Sequence, residues 1–243
     1  MFSVVRPGFA RRWLARTAAL VPSQCALCHA WPAQRLCTAC RARFVQGRPR
    51  CTGCARPIEG AARCGACLRE PPPLDWCVAA VDYGHPWAGV VAQFKFGADP
   101  GWAAPLAALM RQAHGAREVL GRADLVLPVP LGAARLRERG YNQALLLARA
   151  LAPAGPVLPA LLLRPHDTPA QSSLGRRQRL ANLRGAFMLE PLAAAAVTGR
   201  RALLVDDVTT TGATLHAAAL TLRAAGAAGV DALVLARTPL QQE

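Results

Sequence analysis

With 243 residues, 53% of them apolar, the chain has enough material for one sizeable α/β domain with a buried core plus a small appendage. No window approaches the roughly 18 uninterrupted apolar residues needed to span a bilayer, which argues for a soluble protein without a transmembrane segment. A formal net charge of +15 points to polyanionic partners, either nucleic acid or phosphorylated molecules.

Residues 1–22 carry Arg6, Arg11, Arg12 and Arg16 and no acid. Apolar and basic residues interleave there instead of separating into a charged and an apolar region, so a basic N-terminal arm or amphipathic helix is expected and a secretory signal is not. A reducing, cytoplasmic setting follows from that reading, and the nine cysteines then need an explanation other than disulfides.

Eight of them supply it across residues 23–70. Cys25 and Cys28, Cys37 and Cys40, Cys51 and Cys54, Cys64 and Cys67 form four CxxC knuckles, CALC, CTAC, CTGC and CGAC. A two-residue gap lets both sulfurs face one ion, and two knuckles complete a tetrahedral site, so a double zinc ribbon with two structural Zn²⁺ ions is expected. The alternatives are a redox dithiol and an iron–sulfur cluster. Sequential pairing, first knuckle with second and third with fourth, is the expected arrangement. Bound as thiolates, these cysteines lower the working charge to about +11. Arg35, Arg41, Arg43, Arg48, Arg50, Arg56 and Arg63 outnumber the acids here. They read either as contacts to DNA, RNA or a protein, or as the solvated surface of a metal-stapled module. Cys77, alone in the apolar WCVAAV, reads as an inert core residue.

The prolines of LREPPPLDW place a domain boundary near 69–75, with the second domain over 76–243. Strands are predicted over 78–84, 124–130, 160–164, 201–207 and 230–237. Helices are predicted over 86–96, about 102–118, 141–151 and 213–226. Such alternation means an α/β fold, a parallel sheet flanked by helices on both faces, with ligands off the carboxyl ends of its strands. Lys95 is the single lysine against 28 arginines, which suggests a position needing a compact ammonium.

The stretch LLVDDVTTTGAT, residues 203–214, falls at such a strand end. Asp206 and Asp207 close the strand; Thr209, Thr210, Thr211, Gly212, Ala213 and Thr214 form a turn running into a helix. Backbone N–H groups, hydroxyls and the positive helix end together cradle a phosphate, while the carboxylates repel phosphate and accept hydrogen bonds from vicinal hydroxyls. A sugar phosphate satisfies both. Neither the G-x-x-x-x-G-K-[ST] nor the G-x-G-x-x-G pattern is present.

This string resembles the phosphoribosyl-pyrophosphate signature of type I phosphoribosyltransferases. Two further strings, VPLGAARLRERGYNQALLLA at 129–148 and QSSLGRRQRLANLRGAF at 171–187, together with the cysteine array, resemble the ComF family over nearly the whole chain after about residue 25. The resemblance implies a type I phosphoribosyltransferase-like domain, with Asp206 and Asp207 at the ribose hydroxyls and residues 209–214 at the 5′-phosphate. It places Lys95, Arg135, Arg139, Asn142 and Gln143 on the pyrophosphate or acceptor side, and Gln171, Arg179 and Asn182 in a hood over the acceptor. It further implies Mg²⁺ with the pyrophosphate and a link to DNA uptake and competence, with single-stranded DNA and DNA-uptake proteins as partners. The second function it leaves is a non-catalytic module binding single-stranded nucleic acid through its ribbons and basic loops. Nothing in the sequence specifies the acceptor.

Overall fold

The computed structural model describes residues 23–31, 33–45, 47–165 and 185–239. The predicted N-terminal arm over 1–22, and Gln171, Arg179 and Asn182, lie outside the described residues. The chain divides into two compact units, Met1–Gln46 and Gly47–Glu243, and the four knuckles are shared equally between them.

In the first unit, Ser23 and Ala33 exchange backbone hydrogen bonds of 3.0 and 2.7 Å, closing a loop that carries Cys25 and Cys28. Helix α1 (Thr38–Phe44) starts at Cys37, whose sulfur accepts from the Cys40 N–H at 3.4 Å. Cys40 is its one buried residue, so sulfur contacts at its start hold this helix in place of an apolar face.

The second unit opens with the third and fourth knuckles and helix α2 (Gly65–Arg69). There follow β1 (Trp76–Asp82), α3 (Trp87–Phe96), α4 (Ala103–Gln112), α5 (Ala116–Gly121), β2 (Leu125–Pro128), α6 (Ala133–Arg139) and α7 (Gln143–Leu151). After β3 (Leu162–Leu163) and β4 (Met188–Leu189) come β5 (Arg201–Thr209), α8 (Ala213–Ala224) and β6 (Gly229–Arg237). The main sheet runs β1-β6-β5-β2, every pair parallel. All of β6 and residues 202–205 of β5 are buried, as central strands covered on both faces must be. Leu204, Ala232 and Val234 face a core shared with Leu215, Ala218 and Leu222 of α8. Helix α4 packs on β1 and β6, and α7 on β2 and β5. The predicted strand at 160–164 stays outside this sheet: Leu162 and Leu163 pair antiparallel with Leu189 and Met188.

The helix expected over 102–118 is two helices. Gly115 separates them with φ +82°, and a Cβ there would come 2.4 Å from Cζ2 of Trp76. Gly115→Ala is therefore strained twice, by its backbone and by the indole. It is expected to destabilise the protein by about 2–4 kcal/mol, read as a lowered denaturant midpoint.

The amino ends of the strands are tied by ion pairs. Asp75 accepts from Arg201 at 3.0 Å, Arg223 at 2.5 Å and the Val230 N–H at 3.1 Å, while Arg122 clasps buried Asp231 at 2.6 and 2.8 Å. Arg223 also donates to the Pro73 carbonyl at 2.8 Å, fastening the proline-rich connector to α8. Among the described residues no helix is long and apolar enough to cross a membrane.

Candidate functional site

Strand β5 carries its apolar run to Val205 and then delivers Asp206 and Asp207 at the carboxyl end of the sheet. Alternation along a strand sends consecutive side chains to opposite faces, so Asp206 shares the α8 side with Leu204 and Asp207 lies on the other. There Lys95, from the last turn of α3, holds Asp207 at 3.1 Å with both side chains largely buried. Loss of solvent, with the charge of Asp207 next to it, pushes the partly buried Asp206 carboxyl up to about 7, although its Oδ1 accepts the Asp207 N–H at 2.8 Å.

The loop that follows is built for close approach. Thr209 is buried, Thr210 exposed, and Thr211 Oγ1 accepts from the Ala213 N–H at 3.3 Å. Gly212 adopts φ +83°, and a Cβ on it would sit 3.1 Å from Nε2 of buried His216. Helix α8 begins at Ala213 with no acid in its first turn, so its positive end is not offset from within the helix, and Thr214 is half-buried there.

Arg135 and Arg139 stand on α6, a helix with no buried residue. Arg139 donates to Gln143 Oε1 at 3.1 Å and lies 5.2 Å over the ring of exposed Phe96, which adjoins Lys95 in sequence. Gln143 itself is buried. Asn142 uses both ends of its amide on its own chain: Oδ1 caps α7 through the Leu145 N–H at 3.3 Å, and Nδ2 donates to the Val129 carbonyl at 3.0 Å. It therefore positions the turn between α6 and α7.

The knuckles gather in sequential pairs, Cys25, Cys28, Cys37 and Cys40 in one cluster and Cys51, Cys54, Cys64 and Cys67 in the other, all sulfurs of each within 4.8 Å. Four sulfurs about 2.3 Å from a tetrahedral zinc are about 3.8 Å apart; Cys28 and Cys37 are separated by 3.7 Å, Cys54 and Cys64 by 3.8 Å. Burial opposes ionisation of Cys25, yet N–H groups of Cys37, Cys28 and Leu27 draw its thiol down to about 6, while burial and the neighbouring sulfurs push Cys40 in the same tetrad up to about 12. Burial likewise opposes ionisation of Cys64, which the Cys67 N–H and neighbouring sulfurs bring to about 7. Both tetrads fit structural zinc.

One residue of the site has no counterpart in the sequence reading. Arg237 ends β6 and is buried; it donates to the carbonyls of Cys54 at 2.9 Å, Thr238 at 2.6 Å and Thr210. An arginine closing VDALVLAR, a strand whose last six residues are otherwise all apolar, was the available signal.

Residues 17–68 match the double zinc ribbon domain and residues 159–243 the phosphoribosyl transferase domain. DNA utilization protein YhgH of Salmonella typhi is 36% identical over 227 residues, covering 90% of this chain and 98% of the relative. The protein of that name from Escherichia coli (strain K12) is 33% identical over 230 residues, with the same coverage. Competence protein F of Haemophilus influenzae is 33% identical over 209 residues, 83% of this chain and 90% of the relative. Among solved structures, the allosteric regulatory enzyme of purine biosynthesis aligns over 59% of this chain and 29% of its own, with 19% identity and a TM-score of 0.38. Two cysteine tetrads, a parallel-sheet phosphoribosyltransferase domain and relatives matched along nearly their whole length make this chain a member of the ComF family.

Proposed function

We propose that the protein binds phosphoribosyl pyrophosphate, or a closely related sugar phosphate, and transfers its phosphoribosyl group to a nitrogen acceptor during the use of DNA taken up into the cytoplasm. The observation that carries this reading is the order of parts at the end of β5: a carboxylate pair, a hydroxyl-bearing turn with a left-handed glycine, then a helix N-terminus. A ligand with an anionic end and a vicinal diol uses all three.

The 5′-phosphate lies in the turn against N–H groups and the hydroxyls of Thr209 to Thr214. Asp206 and Asp207 accept hydrogen bonds from the ribose hydroxyls and favour positive charge developing at C1. Arg135, Arg139 and Lys95 offset the charge of the leaving pyrophosphate. The C1–O bond breaks with its electron pair passing to pyrophosphate, the acceptor nitrogen's lone pair forms the C1–N bond, and that nitrogen's proton passes to solvent. Carboxylate and ligand oxygens are donors that suit a hard divalent cation, and Mg²⁺, when bound with the pyrophosphate, supplies further charge neutralisation. The chain's own contribution is orientation.

A second reading rests on the net charge of +15 and on the arginines of the ribbons: a module holding single-stranded DNA. Calorimetry separates the two. Titration with phosphoribosyl pyrophosphate and Mg²⁺ is expected to give one site per chain with micromolar affinity, unaffected by a short single strand. Binding of the single strand alone, steeply weakened by salt and lost on replacing Arg41, Arg43, Arg48 and Arg50, would favour the second reading.

A further inference from the structure

The second zinc ribbon is stitched to the edge of the main sheet. The Cys77 N–H of β1 donates to the Thr52 carbonyl at 2.7 Å, Arg50 bridges Asp82 at 2.8 Å and the Ala55 carbonyl at 3.1 Å, and Arg237 reaches the Cys54 carbonyl. The same guanidinium holds the far side of the threonine loop. Its Nη1 donates to the Thr210 carbonyl and stands 3.5 Å from that of Thr209, which also accepts the Thr238 N–H at 3.0 Å.

In a trans peptide the C=O and the following N–H point in opposite directions. Holding the Thr209 and Thr210 carbonyls toward Arg237 therefore turns the N–H groups of Thr210 and Thr211 away from it, into the turn where an anion would sit. A residue with one polar group could satisfy one of these partners. The planar guanidinium offers donors on separate nitrogens and ties a metal knuckle and the loop into one piece.

We propose that Arg237 is a positioning residue through which metal in the Cys51, Cys54, Cys64 and Cys67 site fixes the backbone of the threonine loop, so that zinc there sets the affinity of the loop for a phosphorylated ligand. The ligand half of this rests on the reading of the loop given above; the mechanical half does not. Metal draws the knuckle into a fixed shape, the Cys54 carbonyl fixes the guanidinium, and the guanidinium fixes the loop. A phosphate then meets N–H groups already aimed at it, which removes part of the ordering cost of binding.

The test is amide hydrogen exchange read by mass spectrometry, with zinc content and affinity for phosphoribosyl pyrophosphate measured on the same samples. Arg237→Lys keeps the charge but has no second nitrogen with which to span both partners. It is expected to retain two zinc equivalents, to raise exchange across residues 209–213 about tenfold, and to weaken the ligand about tenfold to a hundredfold. Withdrawal of zinc from the unsubstituted protein by a graded chelator gives a second arm that does not depend on the variant folding. There, protection of 209–213 is expected to fall in step with that of 51–67 and not with that of 25–40. Unchanged loop exchange in folded Arg237→Lys, or loop protection that survives loss of the 51–67 metal, overturns the proposal. If exchange responds as expected but the unsubstituted protein binds no phosphoribosyl pyrophosphate, the coupling stands and the identity assigned to the ligand falls.

Discussion

Asp206→Asn combined with Asp207→Asn is expected to weaken phosphoribosyl pyrophosphate binding at least 100-fold, about 2.7 kcal/mol, while the chain remains folded. Asparagine keeps the shape of each side chain and removes the charge; because Asp207→Asn also leaves Lys95 without its carboxylate, denaturant unfolding of the variant is measured beside the binding loss. The single variant Asp206→Asn has a sharper signature, because the Asp206 carboxyl lies near 7. Below that pH the native side chain is already neutral and the variant resembles it; above it only the native protein carries the charge. Affinity of the unsubstituted protein should therefore rise from pH 6 to pH 8 with release of a proton, and Asp206→Asn should flatten that rise. Folding stability responds with the opposite sign. Between the unfolded value of about 3.9 and about 7, the native protein holds a proton that the unfolded chain has lost. The stability contributed by neutral Asp206 is thus present at low pH and is lost as pH climbs through 7. Asp206→Asn should be relatively more stable at pH 8 than at pH 6 while binding relatively worse. Calorimetry in buffers of differing ionisation heat, paired with denaturant unfolding, measures both. Parallel trends in binding and stability would show that the carboxyl is not ionising where a ligand needs it.

The largest stability effect is expected from the cysteines of the second tetrad. Cys51→Ser should lose one of two zinc equivalents and lower the main thermal transition by roughly 10 °C or more, since structural zinc contributes several kcal/mol and each kcal/mol moves a domain of this size by about 2–4 °C. Its tetrad shares a compact unit with the sheet and is joined to β1 and β6 through Thr52, Arg50 and Arg237. Cys25→Ser should also lose one equivalent, but its tetrad belongs to the other compact unit, so the main transition should move much less. Colorimetric zinc release and scanning calorimetry on the two variants check this. Equal shifts in both would mean that the tetrads do not differ in how they support the sheet.

Much of this architecture is legible because its signals are local. The CxxC spacing marks the eight metal-ligating sulfurs, while their sequential pairing is seen only in the folded tetrads; the short runs RALLVDD and VDALVLAR read as buried strands and are central strands of the sheet. The Thr-rich turn between a strand and a helix lies where a parallel sheet takes its ligands. What escaped depends on contacts distant in sequence. Helix α6 buries no residue and so has no apolar period to read; its marks are Gly132 before it and left-handed Gly140 after it. The break in the helix over 102–118 needs Trp76, nearly forty positions upstream, to explain Gly115. Leu162 and Leu163 read as a strand but their partner is Met188 and Leu189, beyond a long intervening segment. Asn142, placed inside the helix expected over 141–151, is instead its cap: Oδ1 accepts the Leu145 N–H as capping chemistry requires, while its bond to the Val129 carbonyl, thirteen positions upstream, had no local mark. Arg237 had to be seen in place, since nothing near it in sequence tells that its partners are a metal knuckle and a loop.

The ion pairs at the foot of the sheet bear on how the molecule looks from outside. Asp75 and Asp231 are engaged there by arginines, Asp82 by Arg50 and Asp207 by Lys95, out of only 14 acidic residues in the chain. Each such pair offsets its own charge, so these acids contribute less outward field than unpaired carboxylates would. A long polyanion approaching the protein meets fewer repulsive spots than the bare tally of charges implies. Added salt would weaken the outer attraction before it loosened the grip of Arg122 on buried Asp231, whereas the more exposed Asp75 pairs would be screened sooner.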